Sequence, residues 1–359
     1  MKLKLKNTAE QIELVKAMGS RDNAVAAEAN QAFAAFLGPV VAKVLMQAAT
    51  ASAIYTDLPY DEDDRPSIPL DLWYDGGEGY VTTWSQSVAG GLPTSTVEGF
   101  AEMKVATYRL DSAVSFLKRY ARRGRLDVVS KAVERMANEV LVKQERNAWA
   151  VALKTLAESG NVLYTDETSV TFTLDILNRL MTQVKRINRS YAAGTTTDAY
   201  GLTDLFVSPE VKEDIRSFAY QPVSITTSAD RLPVSNVLTN LPEGVREDIY
   251  RNAGTQEIYG VAIHDLIELG PNQKYQSLFS EFWTGSTFTA NADELIVGLD
   301  LTKDAFVRPV ARQAESGGTF TALPDDQFVA RSEKIGFYGF LEEGRACVDS
   351  RAVHGVIIH

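Results

Sequence analysis

Four consecutive carboxylates, Asp61-Glu62-Asp63-Asp64, are the densest set of hard-cation donors in the chain. A divalent ion of the calcium type gathers about six to eight oxygens around itself. Carboxylates on adjacent residues of a loop flanked by Pro59 and Pro66 diverge rather than converge, so the run reads as an acidic docking segment, and no bound metal is expected. The opposite charge is equally concentrated: Lys118, Arg119, Arg122, Arg123 and Arg125 fall within one short stretch. Such a run can meet a neighbour's acidic segment, touch nucleic-acid phosphates, or form a solvated helix face. An acidic and a basic segment in one chain favour the first reading, recognition between copies.

Other chemistry-bearing residues are sparse. His264, His354 and His359 lie too far apart for a His-x-x-x-His pair, and no nucleophile motif accompanies them. Gly76-Gly77-Glu78-Gly79 lacks the Lys-Ser or Lys-Thr that completes a phosphate-cradling loop, so it reads as a turn. The lone Cys347 excludes an intrachain disulfide and a multi-cysteine zinc site; it is expected to be a small core residue of a protein folded in a reducing cytoplasm. The expectation is a protein without catalytic residues or cofactor.

The elements that position these residues start with a long helix over 124–159. Val129, Val133, Met136, Val140, Gln144, Ala148, Ala152 and Leu156 advance by three or four residues, and Leu126, Leu141, Trp149 and Leu153 widen the stripe. Gln144 alone breaks its apolar character. Gly124 precedes the helix, Asp127 supplies a first-turn acid and Ser159-Gly160-Asn161 the stop, so the helix is about three times the average length.

Residues 1–53 read as an Ala-rich arm, extended or partly helical and packed on a neighbour, with Gly38-Pro39 interrupting its second apolar run. Over 54–103 the pattern turns to β. Ile68-Pro-Leu-Asp-Leu-Trp-Tyr74 and Tyr80-Val-Thr-Thr-Trp84 flank Asp75-Gly-Gly-Glu-Gly79, a hairpin signal. This segment is acidic, lacks lysine and has Arg65 as its one basic residue. With few aliphatics for a core of its own, a projecting hairpin must lie on another surface. Trp73, Tyr74 and Trp84 are its expected anchors there.

A strand over 102–110 and a short helix over 112–123 are expected before the long helix. Beyond it, a helix over 173–187, strands at 204–208, 295–298 and 306–310, and a helix from Pro209 alternate. Glu342-Glu343-Gly344 reads as the turn of a closing hairpin between 333–341 and 346–358. The fold class is α+β.

The chain has 359 residues and a formal net charge of -11. That charge excludes a surface built as a nucleic-acid footprint, which needs dense Lys and Arg. No apolar run reaches the length of a membrane span, and Met1-Lys-Leu-Lys-Leu-Lys6 is not followed by a signal-type apolar region.

The order of these parts resembles the major capsid proteins of tailed bacteriophages with the Hong Kong 97-type fold. Leu205-Phe-Val-Ser-Pro-Glu-Val211, Gly260-Val-Ala-Ile263, Glu333-Lys-Ile-Gly-Phe-Tyr-Gly339 and Asp349-Ser-Arg-Ala-Val353 are similar to recurring family phrases. The resemblance implies an N-terminal arm at 1–53, an extended hairpin loop at 54–103, a spine helix within 104–160, and the rest of the peripheral and axial domains over 161–359. It implies hexamers and pentamers of an icosahedral shell around double-stranded DNA in a virion assembled in the host cytoplasm. Portal, scaffolding and cement proteins are the implied partners, DNA contact is non-specific, and no membrane is involved. The intersubunit contacts are then expected from Asp61, Glu62, Asp63, Asp64, Trp73, Tyr74 and Trp84 on one side, and Lys118, Arg119, Arg122, Arg123 and Arg125 on the other.

Two departures matter. Some relatives join subunits through a loop lysine and an asparagine; here the nearest lysine is Lys104 at the loop's base, so no such crosslink is expected. The chain also opens on the arm, without the long scaffolding region of some relatives. An encapsulin-type compartment shell resembles the same fold and is the rival reading; a metal-dependent hydrolase built on the acidic segment is a remote one.

Overall fold

A computed structural model describes residues 8–48, 51–61, 65–69, 102–165, 171–187, 201–217, 256–285, 288–302, 304–312, 319–325 and 333–358. In chain order the elements are α1 (Ala9–Met18), α2 (Asn23–Ala48), α3 (Ala51–Ile54), β1 (Thr56–Asp61), β2 (Ser67–Pro69), β3 (Glu102–Lys104), β4 (Thr107–Leu117), α4 (Lys118–Arg122) and α5 (Leu126–Ser159). They continue as β5 (Val162–Thr165), α6 (Leu174–Ile187), β6 (Asp204–Val207), α7 (Pro209–Ser217), β7 (Gln256–Ile258), β8 (Val261–Asp265) and α8 (Lys274–Phe282). The last are β9 (Glu294–Leu299), β10 (Phe306–Arg312), β11 (Thr321–Asp325), β12 (Lys334–Gly344), β13 (Ala346–Cys347) and β14 (Val353–Ile358). Helices and strands interleave, as the α+β reading expects.

The chain divides into two compact units, each assembled from three separate stretches. The first comprises Met1–Ile68, Met103–Ala148 and Phe306–Ala346. Its sheet runs β1-β10-β12-β11, with β4 also on β12 and β13 on β10. β1 joins β10 in parallel, and β4 runs antiparallel to β12 in an unbroken register from Thr107↔Gly344 to Leu117↔Lys334. Against this sheet pack Val15 and Met18 of α1, Phe33, Leu37 and Val41 of α2, and Val129, Val133, Met136 and Val140 of α5. Phe337 is central, with ring centroids of Phe33 and Phe116 at 5.2 and 6.2 Å.

Residues 9–41 are largely helical and differ from an arm that lies wholly on a neighbour. Their apolar stripe is buried in the chain's own core, because α1 and α2 have that core within reach. Gly38-Pro39 does not interrupt α2 either. A Cβ at Gly38 would stand 3.3 Å from the Phe320 carbonyl oxygen, so glycine lets the helix approach the β11 end of the sheet. The burial of Leu37 and Val41 on either side outweighs a propensity cost of about 1 kcal/mol for glycine and about 3 for proline.

The second unit comprises Pro69–Glu102, Trp149–Ala305 and Cys347–His359. Its sheet runs β5-β14-β9-β6-β8-β7. β9 and β14 are buried at every position, which explains their nearly continuous aliphatic composition. α6 lays Leu177, Leu180 and Val184 into this core, and Trp149 of α5 packs edge-on against Phe206, ring centroids 4.8 Å apart.

α5 confirms the helix read from periodicity. It has 34 residues, about 51 Å at 1.5 Å per residue. All eight positions of the stripe from Val129 to Leu156 are buried, as are Trp149 and Leu153; Leu141 is half-buried. Two sequence expectations fail nearby. The strand before α4 runs on to Leu117, leaving a helix of five residues rather than one over 112–123. Strand alternation persists there because the full length of β12 is available to pair with it. The closing hairpin is also absent: Glu342, Glu343 and Gly344 lie inside β12, and β12 and β14 belong to different sheets. Glu343 tolerates strand burial because it has buried partners.

Candidate intersubunit surface

The basic run is positioned by the junction of β4, α4 and α5. Gly124, at φ 62°, separates the two helices. α1 packs on α4 so closely that a Cβ at Gly19 would stand 2.6 Å from the Arg122 backbone nitrogen. Arg122 Nε donates to the Gly19 carbonyl at 2.9 Å, and the Lys118 N–H donates to Glu333 at 2.8 Å.

The five cations are thus unequal. Lys118 is buried. Arg122 is exposed but anchored through Nε to α1. Arg119 lies with its guanidinium 5.1 Å from the Tyr120 ring centroid. Arg119, Arg123 and Arg125 are exposed, and among the described residues no carboxylate forms an ion pair with them or with Arg122. Like charges this close on a helix surface disfavour one another by about 0.2–0.5 kcal/mol per pair.

Of the expected acidic and aromatic contacts, Asp61 is placed: exposed at the end of β1, opposite Arg312 of β10. Glu62, Asp63, Asp64, Trp73, Tyr74, Trp84 and the hairpin turn at 75–79 lie outside the described residues.

The first unit also holds a buried polar cluster, at the Tyr108 end of β4 rather than the Leu117 end, that the residue pattern alone does not announce. Glu343 is fully buried and accepts from Tyr108 Oη at 2.8 Å, Gln144 Nε2 at 2.9 Å and Arg345 at 3.2 Å. Gln144 therefore interrupts the stripe of α5 because a carboxylate waits opposite it. Arg308 stands 4.0 Å from Glu343 and pairs with Asp57 at 2.7 Å. The Arg345 guanidinium lies 4.9 Å from the Tyr55 ring centroid. Burial, with Glu343 alongside, pushes the Tyr108 hydroxyl up to about 12. The carboxylate thus accepts from β4 through Tyr108 and from α5 through Gln144, tying both elements to β12. Glu342-Glu343 and Arg345 in a presumed turn were the available signal, together with the polar gap at Gln144.

In the second unit, burial pushes Glu294 up to about 7, with Glu210 and Asp214 adding to the effect. Its carboxyl accepts from Ser208 Oγ at 2.9 Å, and Ser208 in turn accepts from the Val211 N–H at the start of α7. His264 stands 2.7 Å from Asp204 and stacks on Phe206. His354 is buried, and burial lowers it to about 4. Cys347 is half-buried rather than fully enclosed, and burial raises its thiol to about 12. Among the described residues no group of three or more His, Cys, Asp or Glu can hold a metal, and no helix is long and apolar enough to cross a membrane.

No family model matches the chain, and neither does any curated protein. Solved structures do. The chain is similar to phage capsid proteins. Microbacterium phage Oxtober96 matches with 12% identity over 86% of this chain and 90% of that one, at a TM-score of 0.49. The mature capsid of bacteriophage PhiM1 matches at 11% identity, 87% of each chain and a TM-score of 0.48. The holo-SrpI encapsulin complex of Synechococcus elongatus matches at 11% identity, 84% of each chain and a TM-score of 0.46.

Proposed function

We propose that the chain is a major capsid protein whose copies associate non-covalently into hexamers and pentamers of an icosahedral shell, enclosing the double-stranded DNA of a tailed phage. What carries the reading is the chain's own order of parts around α5: a lysine-free acidic segment before it, a cationic shoulder at its start, and two sheet units drawing on its length. Arg119, Arg123 and Arg125, without carboxylate partners among the described residues, supply the positive half of a contact whose negative half is Asp61-Glu62-Asp63-Asp64 on the next copy. Each exposed charge pair contributes about 0–1 kcal/mol, so closure needs many copies of the contact together with buried aromatic area from Trp73, Tyr74 and Trp84. The net charge of -11 keeps contact with packaged DNA local and non-specific. Portal, scaffolding and cement proteins are partners of such a shell, assembled in the host cytoplasm and carried in the virion.

Arg122 is tied to α1, so the clean test uses its neighbours. Arg119→Glu with Arg123→Glu is expected to leave the melting temperature of the subunit unchanged and to abolish shells in electron micrographs. Shells at the wild-type yield would defeat the charge contact.

A further inference from the structure

β4 is 11 residues long, about 36 Å at 3.3 Å per residue, and one of its edges is committed to β12. The Lys118 N–H donates to the Glu333 carbonyl, one step beyond the Leu117–Lys334 pair, and this fixes the phase of the ladder. Even-numbered residues of β4 bond to β12. Backbone groups alternate from side to side along a strand, so Thr107, Arg109, Asp111, Ala113, Ser115 and Leu117 direct their N–H and C=O groups to the other edge. Among the described residues no strand occupies that edge.

Edge strands of isolated proteins are blunted by proline, lysine, bulges or short length. Thr107-Tyr-Arg-Leu-Asp-Ser-Ala-Val-Ser-Phe-Leu117 has none of these, and its register with β12 contains no bulge. Its two charges do not shield the edge. The Arg109 guanidinium lies 3.9 Å from the Phe340 ring centroid, Arg109 pairs with Asp111 at 2.8 Å, and the Tyr338 hydroxyl donates to Asp111. Both side chains are thereby drawn onto the sheet face.

We propose that this edge docks β4 of a second copy, the two strands antiparallel about a two-fold axis, with Arg109 of each set against Asp111 of the other. The two charges are of opposite sign and sit symmetrically about Leu110, so the antiparallel copy meets opposite charge at both positions. A parallel copy in the same register meets like charge at both. In this register residues 107–113 of the two strands pair, exchanging roughly eight backbone hydrogen bonds through Thr107, Arg109, Asp111 and Ala113. The pairing deepens the shell reading by naming one of its contacts, yet it is equally visible in a dimer.

Two experiments on the full chain test it. Ala113→Pro removes an N–H that β12 does not use, a substitution edge strands accept, and is expected to fold and to lose the contact. Arg109→Asp and Asp111→Arg copies are each expected to fail alone and to associate when mixed; mixing cannot restore the pair within either copy. In associated wild-type protein, amides of Arg109, Asp111 and Ala113 should exchange at least about tenfold more slowly than in the dissociated chain. Equal exchange rates in the two states, or a mixture no better than its components, overturns the pairing. Shells from Ala113→Pro at wild-type yield overturn it while the shell reading stands. A dimer with protected amides that never closes into shells supports the pairing and removes the shell reading.

Discussion

Replacing Glu343 by alanine isolates the energetics of the cluster under the first unit's sheet. The carboxylate accepts from Tyr108, Gln144 and Arg345, and both it and the Arg345 side chain are almost wholly removed from water. Truncation strands a buried guanidinium and two neutral donors. Breaking a buried pair from one side costs about 3–5 kcal/mol. For a unit of this size each kcal/mol lowers the melting point by about 2–4 °C, so a drop of about 6–20 °C is expected in scanning calorimetry. The double variant Glu343→Leu with Arg345→Met removes both charges, and its loss should be smaller than that of Glu343→Ala alone, because no unpaired charge remains. A Glu343→Ala protein melting within about 2 °C of wild type, or a double variant worse than the single, would show that the buried pair does not carry this stability.

Four further outcomes are expected. Glu294 is raised from 4.5 to about 7 in the fold, so its neutral form is the stabilising one: its contribution is complete below about pH 4.5 and is lost as pH rises through 7. Denaturant midpoints should fall between pH 5 and 8 for wild type and flatten in Glu294→Gln. His354 works in the opposite sense, since its folded value of about 4 lies below 6.5; its contribution is present above pH 6.5 and lost as pH falls through 4, a slope that Glu294→Gln should leave in place. Gly19→Ala drives a Cβ into the backbone of α4 and should cost about 1–3 kcal/mol, read from urea unfolding, while shells, where they form, should show no ladder of linked subunits on denaturing gels because the loop has no lysine.

The sequence made α5 legible because one face of the helix is buried along its whole length, and a 3.6-residue period survives wherever burial is one-sided. It misled at β4 because Ser112 to Arg123 carries no helix-breaking residue, while the partner that holds it as a strand lies more than two hundred residues away in β12. It misled at 342–344 for a related reason: two glutamates and a glycine are turn-like locally, and only Tyr108, Gln144 and Arg345 make Glu343 a core residue. The apolar surplus of residues 9–41 is visible in the sequence, but its destination in the core around β11 and β12 is not. Among the surface cations the sequence shows number but not rank, and only the packing of α1 on α4 sets Lys118 and Arg122 apart from Arg119, Arg123 and Arg125.

Self-assembly is directly measurable. The purified wild-type chain should be followed by light scattering and electron microscopy across concentration and salt. Closed shells, or rings of five and six copies, that dissociate as salt rises are expected; a strictly monodisperse monomer at every concentration and ionic strength would mean that the chain is not a shell protein.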